Sequence, residues 1–238
     1  MPTAILIDGA FFLRRYPKIY GSIDFSQPEK EAQRVSQDLY QLATRHLYIK
    51  RRASKGGKVW VRERELYRIF FYDCPPLTKR VHNPLSGEAI NLSKTPLAHF
   101  RNALHAKLRA MRKVALRLGY LDEPNARWEI RPHILEQLLK GKKRWEELTP
   151  DDVYYYAGQK GVDMRIGLDI ASMAFKKQVD QIVLVAGDSD FVPAAKLARR
   201  EGIDFILDPM WNHIRPDLHE HIDGLRSTCP KPKPKTED

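Results

Sequence analysis

Four short stretches read as strands that each close on an aspartate: Thr3-Ala-Ile-Leu-Ile-Asp8, Leu66-Tyr-Arg-Ile-Phe-Phe-Tyr-Asp73, Ile182-Val-Leu-Val-Ala-Gly-Asp188 and Ile203-Asp-Phe-Ile-Leu-Asp208, of which Ile182 to Ala186 is apolar throughout and unalternating. Runs of this kind read as strands covered on both faces of a parallel sheet. Arg127 to Arg131 is predicted as a further strand, stopped at a sheet edge by Pro132. Helical spacing fills the intervals. Ala10 to Tyr16 predicts a short helix. Ala32, Val35, Leu39, Leu42 and His46 predict a second, opened by a capping box of Ser26 and Glu29. Leu97, Phe100, Leu104, Leu108, Met111, Ala115 and Leu118 predict one long amphipathic helix running from Thr95-Pro96 to Gly119. Met164 to Lys177, Pro193 to Arg200 and a closing Pro216 to Leu225 complete the set. Strands alternating with helices argue for an α/β fold with helices on both faces of the sheet.

Two segments break that rhythm. Leu47 to Arg64 reads as a β-hairpin around Ser54-Lys55-Gly56-Gly57, and Val81 to Leu92 as a second hairpin or ordered loop. At 238 residues the chain suits one domain, taken as residues 1–227 with the hairpin 47–64 inserted, followed by a Pro/Lys-rich extended tail over 228–238. A hydrophobic share of 42% with 30% charged residues excludes a disordered chain. No apolar run approaches the ~18 residues of a membrane span, and the amino end enters a strand without a leader. Cys74 and Cys229 are far apart and match no zinc spacing. A cytoplasmic, reduced protein with no membrane contact is the expectation.

The aspartates are the candidate chemistry. In open α/β sheets ligands bind where strands end, and Asp188-Ser189-Asp190 lies where a strand meets a helix. One carboxylate suffices to cap that helix, so the second is unexplained by capping. Asp8 stands at another strand exit and Asp163 at the start of the Met164 helix. Carboxylates gathered from three elements raise one another's pKa unless a cation neutralises them. An all-oxygen set suits Mg²⁺ or Mn²⁺, which serve to activate water and steady a phosphate oxygen.

Asp8-Gly9, the run Lys160-Gly161-Val162-Asp163 with Leu168-Asp169, and Gly187-Asp188-Ser189-Asp190-Phe191 with Pro193 resemble the NYN domain of the PIN-like nuclease superfamily, in its LabA-like branch, over residues 1 to about 225. The resemblance implies a Rossmann-like three-layer α/β/α sandwich with a five-stranded, mainly parallel sheet of order 3-2-1-4-5. It also implies a divalent-metal ribonuclease centre in which Asp8, Asp163, Asp188 and Asp190 are both catalytic residues and metal ligands. Many relatives carry Asn soon after the first Asp, whereas Gly9, Ala10 and Phe11 follow it here. Asp169 belongs to the family pattern, although an i,i+4 pair with Arg165 would also account for it.

Charge adds a partner. Lys and Arg number 41 against 30 acids, a net +11, which favours polyanions. Nine of these cations fall between Arg45 and Arg68. Lys50, Arg51, Arg52 and Lys58 of the hairpin are interleaved with Tyr48 and Trp60, a mixture that grips a single-stranded backbone and stacks bases; a lysine-guarded edge is the alternative. Arg101, Arg109 and Arg112, with His105, Lys113 and Arg117, make the outer face of the long helix basic, either to follow phosphates or simply to be solvated. Lys160 is placed to meet a phosphate or to hold Asp163. Asp73 either approaches the site or stabilises a turn, and His213, His219 and His221 read as surface residues. The expected activity is metal-dependent endoribonucleolytic cleavage, with DNA not excluded; the alternative is an RNA- or partner-binding module that does not cut. A phosphotransferase is disfavoured because no second Asp follows Asp8 by two residues. A homodimer or protein partner is left open.

Overall fold

The computed structural model describes residues 2–52 and 57–232. Its central sheet has six strands: β1 (Pro2–Asp8), β2 (Glu65–Asp73), β3 (Val114–Leu118), β4 (Gln181–Val185), β5 (Asp204–Asp208) and β6 (Gly224–Leu225), in the spatial order β6-β5-β4-β1-β2-β3. Every pairing is parallel, with Ile7 opposite both Phe71 and Val185, and Val185 opposite Asp208. All strand exits therefore share one edge.

The unalternating apolar runs follow from two cores. Successive side chains of a strand point to opposite faces. Ile5, Ile7, Ile69, Phe71, Val183 and Val185 enter one core, whereas Ala4, Leu6, Phe70, Tyr72, Ile182 and Leu184 enter the other. The helices among the described residues are α1 (Gly9–Tyr20), α2 (Pro28–Arg45), α3 (Pro96–Ala110), α4 (Pro132–Leu139), α5 (Val162–Phe175), α6 (Val192–Arg200) and α7 (Pro216–His219). The first three cover the Ile5 face through Phe12, Leu39 and Leu104; α5 and α6 cover the Leu6 face through Ile166, Ile170 and Ala195.

The sheet differs from the expected five strands in count and in membership. Arg127–Ile130 is not in it; that segment pairs antiparallel with Val153–Tyr156 as a separate ribbon. Its expected place is taken by Val114–Leu118, which the periodicity assigned to the long helix. That helix stops at Ala110: Met111 is extended and Lys113 adopts φ 63°. The Lys113 ammonium donates to Leu66 O and its carbonyl accepts from Ile69 N, so the chain is turned into register with β2. Ala115 and Leu118 satisfy helical spacing as well as a strand, and only pairing separates the two. At the carboxyl end, the helix expected over Pro216 to Leu225 is a single turn followed by β6.

Smaller corrections are local. The α2 helix begins at Pro28 without a side-chain cap, because Ser26 bonds Asp24 instead. Both hairpins form, Tyr48–Arg52 with Lys58–Arg62 and Arg80–His82 with Ala89–Asn91; Ser54-Lys55-Gly56 of the first turn lies outside the described residues. The expected tail begins docked: Cys229 is buried and Thr228 donates its hydroxyl to Leu42 O. Residues 233–238 lie outside the described residues.

Two strand exits are tied into the scaffold. Asp73 is fully buried, paired with the Arg101 guanidinium and, at 2.8 Å, with His105 Nε2. Asp208, equally buried, meets His46 Nε2 at 2.9 Å and accepts from Met210 N and Thr228 N. Removing one member of a buried charged pair strands the other. We expect Asp73→Ala to cost about 3 kcal/mol in denaturant unfolding; a cost below about 1 kcal/mol would show that the pairing does not hold α3 to the sheet.

Candidate active site

Asp8 ends β1 and caps α1, its Oδ1 accepting from Phe11 N at 3.1 Å. The turn is tight because Gly9 has no side chain: a Cβ there would stand 2.5 Å from Tyr72 O and 2.8 Å from the Phe71 ring. Gly187, where the chain leaves β4, lies directly against the Phe11 ring, and a Cβ would overlap it. The Asp8 turn and the Asp188 turn are thereby packed together, with Gly9 and the Phe11 ring taken up by that packing and Ala10 exposed.

Asp163 arrives from the other layer. It lies in the first turn of α5, which starts from Gly161 at φ 75°. Gly119, just beyond β3, lets this start approach: a Cβ would be 2.5 Å from Lys160 O. Asp188 and Asp190 are exposed on the loop after β4, and Asp188 Oδ1 accepts from Asp190 N at 3.2 Å. Asp188 is thus the turn-forming member of the pair, and Asp190 the carboxylate that local capping leaves over.

The electrostatics link these residues. Burial, followed by the nearby charge of Asp163, pushes the Asp8 carboxyl up to about 6 despite the Phe11 N–H that favours its ionised form. Asp163 is raised by burial and then by Asp188 and Asp190. Among the described residues no salt bridge reaches any of the four. Asp8 neighbours Asp163, and Asp163 neighbours Asp188 and Asp190, but among the described residues no three His, Cys, Asp or Glu side chains are grouped as a ready ion cage.

Other expected contributors sit elsewhere. Asp73 is consumed by Arg101 and His105, so Arg101 is a partly buried structural cation rather than a free phosphate ligand. Asp169 does not pair with Arg165; it accepts from Tyr72 Oη at 2.8 Å and from Arg117 Nε at 3.2 Å. Lys160 lies 3.8 Å from Asp122 rather than on Asp163. Arg109 and Arg112 are exposed, the first on α3 and the second beyond its end. In the hairpin, pairing places Lys50, Arg52 and Lys58 on the face of Tyr48 and Trp60, while Arg51 falls on the other face and meets Glu63 at 3.1 Å. His213 and His219 are exposed and His221 partly so. Tyr72 went unnoticed in the sequence; it is the β2 residue opposite Asp8, and its only signal was a hydroxyl in an otherwise apolar run.

Asp8 supplies a pH test. Its folded carboxyl holds a proton up to about pH 6, against 3.8 for the ordinary group, so its contribution to stability is full below about 4 and is lost as pH rises through about 6. Asp8→Asn keeps an acceptor for Phe11 N without the charge. In metal-free buffer its melting temperature is expected to exceed the wild type's at about pH 7.5, with the difference vanishing near pH 4. A difference independent of pH would contradict the assignment.

Residues 99–214 match the family model of the NYN domain. A crystal structure of a protein of unknown function from Vibrio parahaemolyticus is 16% identical, covering 94% of this chain and 90% of that one at a TM-score of 0.43, which carries no argument. No curated protein matches. The matched stretch contains Asp163, Asp188 and Asp190, while Asp8 precedes it. Over residues 99–214 the chain is therefore similar to the NYN domain, a family of the PIN-like nuclease superfamily.

Proposed function

We propose that this protein is a divalent-metal-dependent endoribonuclease of the LabA-like branch that hydrolyses RNA phosphodiester bonds. The observation that carries the reading is a set of four carboxylates, Asp8, Asp163, Asp188 and Asp190, at the carboxyl edge of a parallel sheet with no cation of the protein paired to them among the described residues. Two of them, Asp8 and Asp163, bind protons more tightly than ordinary carboxyls, chiefly through burial and then through neighbouring acids. The donor set is all oxygen and uncompensated, which fits Mg²⁺ or Mn²⁺ rather than a softer metal. Such an ion, when bound, would polarise a water and a phosphate oxygen.

The remaining roles fall to the chain itself. Asp8 is held in place by Phe11 N and can accept a proton near neutral pH. Asp188 is oriented by Asp190 N, which leaves the Asp190 oxygens facing outward. The basic surface draws in the substrate, and Lys50, Arg52, Lys58, Arg109 and Arg112 are exposed for phosphate contact. Residues 1–227 form one catalytic domain in this reading. No helix among the described residues is long and apolar enough to cross a membrane.

Cleavage of labelled single-stranded RNA and DNA with Mn²⁺ or Mg²⁺ tests the reading. RNA is expected to be cut, with EDTA abolishing cleavage and Asp188→Asn or Asp163→Asn slowing it by about 100-fold or more. Undiminished cutting in EDTA or in both variants would overturn the metal-centred mechanism. Binding of RNA without cleavage under either metal would favour a module that recognises RNA and leaves it intact.

A further inference from the structure

A second cavity is walled by the hairpin on one side and the chain after β6 on the other. It measures about 520 Å³ and is lined by Arg45, Tyr48, Trp60, Arg226, Ser227 and Thr228. Among the described residues no carboxylate lines it. Trp60 is 59% and Tyr48 37% exposed, a poor arrangement for two large rings unless something covers them. Lys50 Nζ lies 4.9 Å from the centre of the Trp60 ring.

The two guanidinium groups have different tasks. Arg226 donates to the backbone carbonyls of Arg45, His46 and Tyr48, where α2 ends and the hairpin begins, so it builds the wall. Arg45 is exposed and makes a single 3.3 Å bond to Thr228 O, which leaves donors for a ligand. Thr228 also bonds Asp208 at the exit of β5, so the cavity wall is tied to the edge of the sheet on which the aspartates stand.

We infer that this cavity holds one nucleotide of a single-stranded nucleic acid, its base stacked on Trp60 and Tyr48 and its phosphate on Arg45, upstream or downstream of the strand position at the carboxylates. Flat faces beside an exposed cation, with no acid in the lining among the described residues, are the chemistry of single-strand recognition. An acidic peptide would use the cations but leave the two rings without a partner. The inference deepens the nuclease reading and rests on it for the identity of the strand.

The test is binding of a short fluorescent single-stranded RNA to the full chain in EDTA, where cleavage plays no part. Trp60→Ala and Arg45→Ala are each expected to weaken binding about tenfold. Trp60→Phe should restore most of the loss, and Arg51→Ala, which removes an equal charge from the opposite face of the hairpin, should cost less than threefold. Equal losses for Arg45→Ala and Arg51→Ala with no effect of Trp60→Ala would overturn the cavity in favour of general charge attraction. Displacement by adenosine monophosphate at the strand's own affinity would overturn the strand in favour of a free nucleotide, and binding of polyglutamate sensitive to the same variants would overturn both in favour of an acidic protein. Loss of cleavage in every metal with cavity-dependent binding intact would sink the nuclease reading alone, whereas full cleavage with unchanged KM in Trp60→Ala would sink the cavity alone.

Discussion

Parallel strands that end together bring their terminal residues together, and here the terminal residues are acids. β1, β2 and β5 each finish on aspartate at one edge of the sheet, and Asp188 follows β4 by three positions. Charge concentrated at a half-buried edge has to be answered. The fold answers two of these carboxylates from within: Asp73 by Arg101 and His105, Asp208 by His46 and backbone N–H groups. Among the described residues no salt bridge reaches Asp8 or Asp163, and burial, followed by neighbouring acids, raises their proton affinity despite the Phe11 N–H on Asp8. The contrast between answered and unanswered acids separates scaffold from candidate chemistry within one repeated motif.

The placement of the unanswered acids depends on absent side chains. Gly9 and Gly187 let the first turn of α1, the Phe11 ring and the exit of β4 pack in contact, and Gly119 does the same for the start of α5. Around this acidic edge the molecule is strongly basic, at net +11, an arrangement that attracts a polyanion overall.

Much of this was legible from residue order. Buried strands announce themselves by apolar runs, unbroken in β1 and β4 and interrupted only by Arg68 in β2 and Asp204 in β5, and all four were read as strands. β3 was not, since Val114 to Leu118 continues the helical spacing of α3; the deciding facts, the left-handed Lys113 and the pairing with Ile69 to Asp73, are tertiary. The Arg, His and Tyr partners of Asp73, Asp169 and Asp208 were equally hidden, because they come from 28 to 162 residues away along the chain. The aspartates of the candidate site were visible as a pattern, whereas which of them would stay unpaired depended on the folded neighbours.

The central claim is that the four aspartates form a cation site. Calorimetric titration of Mn²⁺ into the EDTA-stripped, dialysed protein tests it most directly. The account predicts saturable binding by the wild type that is lost or greatly weakened in Asp8→Asn and in Asp163→Asn, with both variants folded by circular dichroism. Absence of binding to the wild type, or binding unchanged by both substitutions, would contradict it.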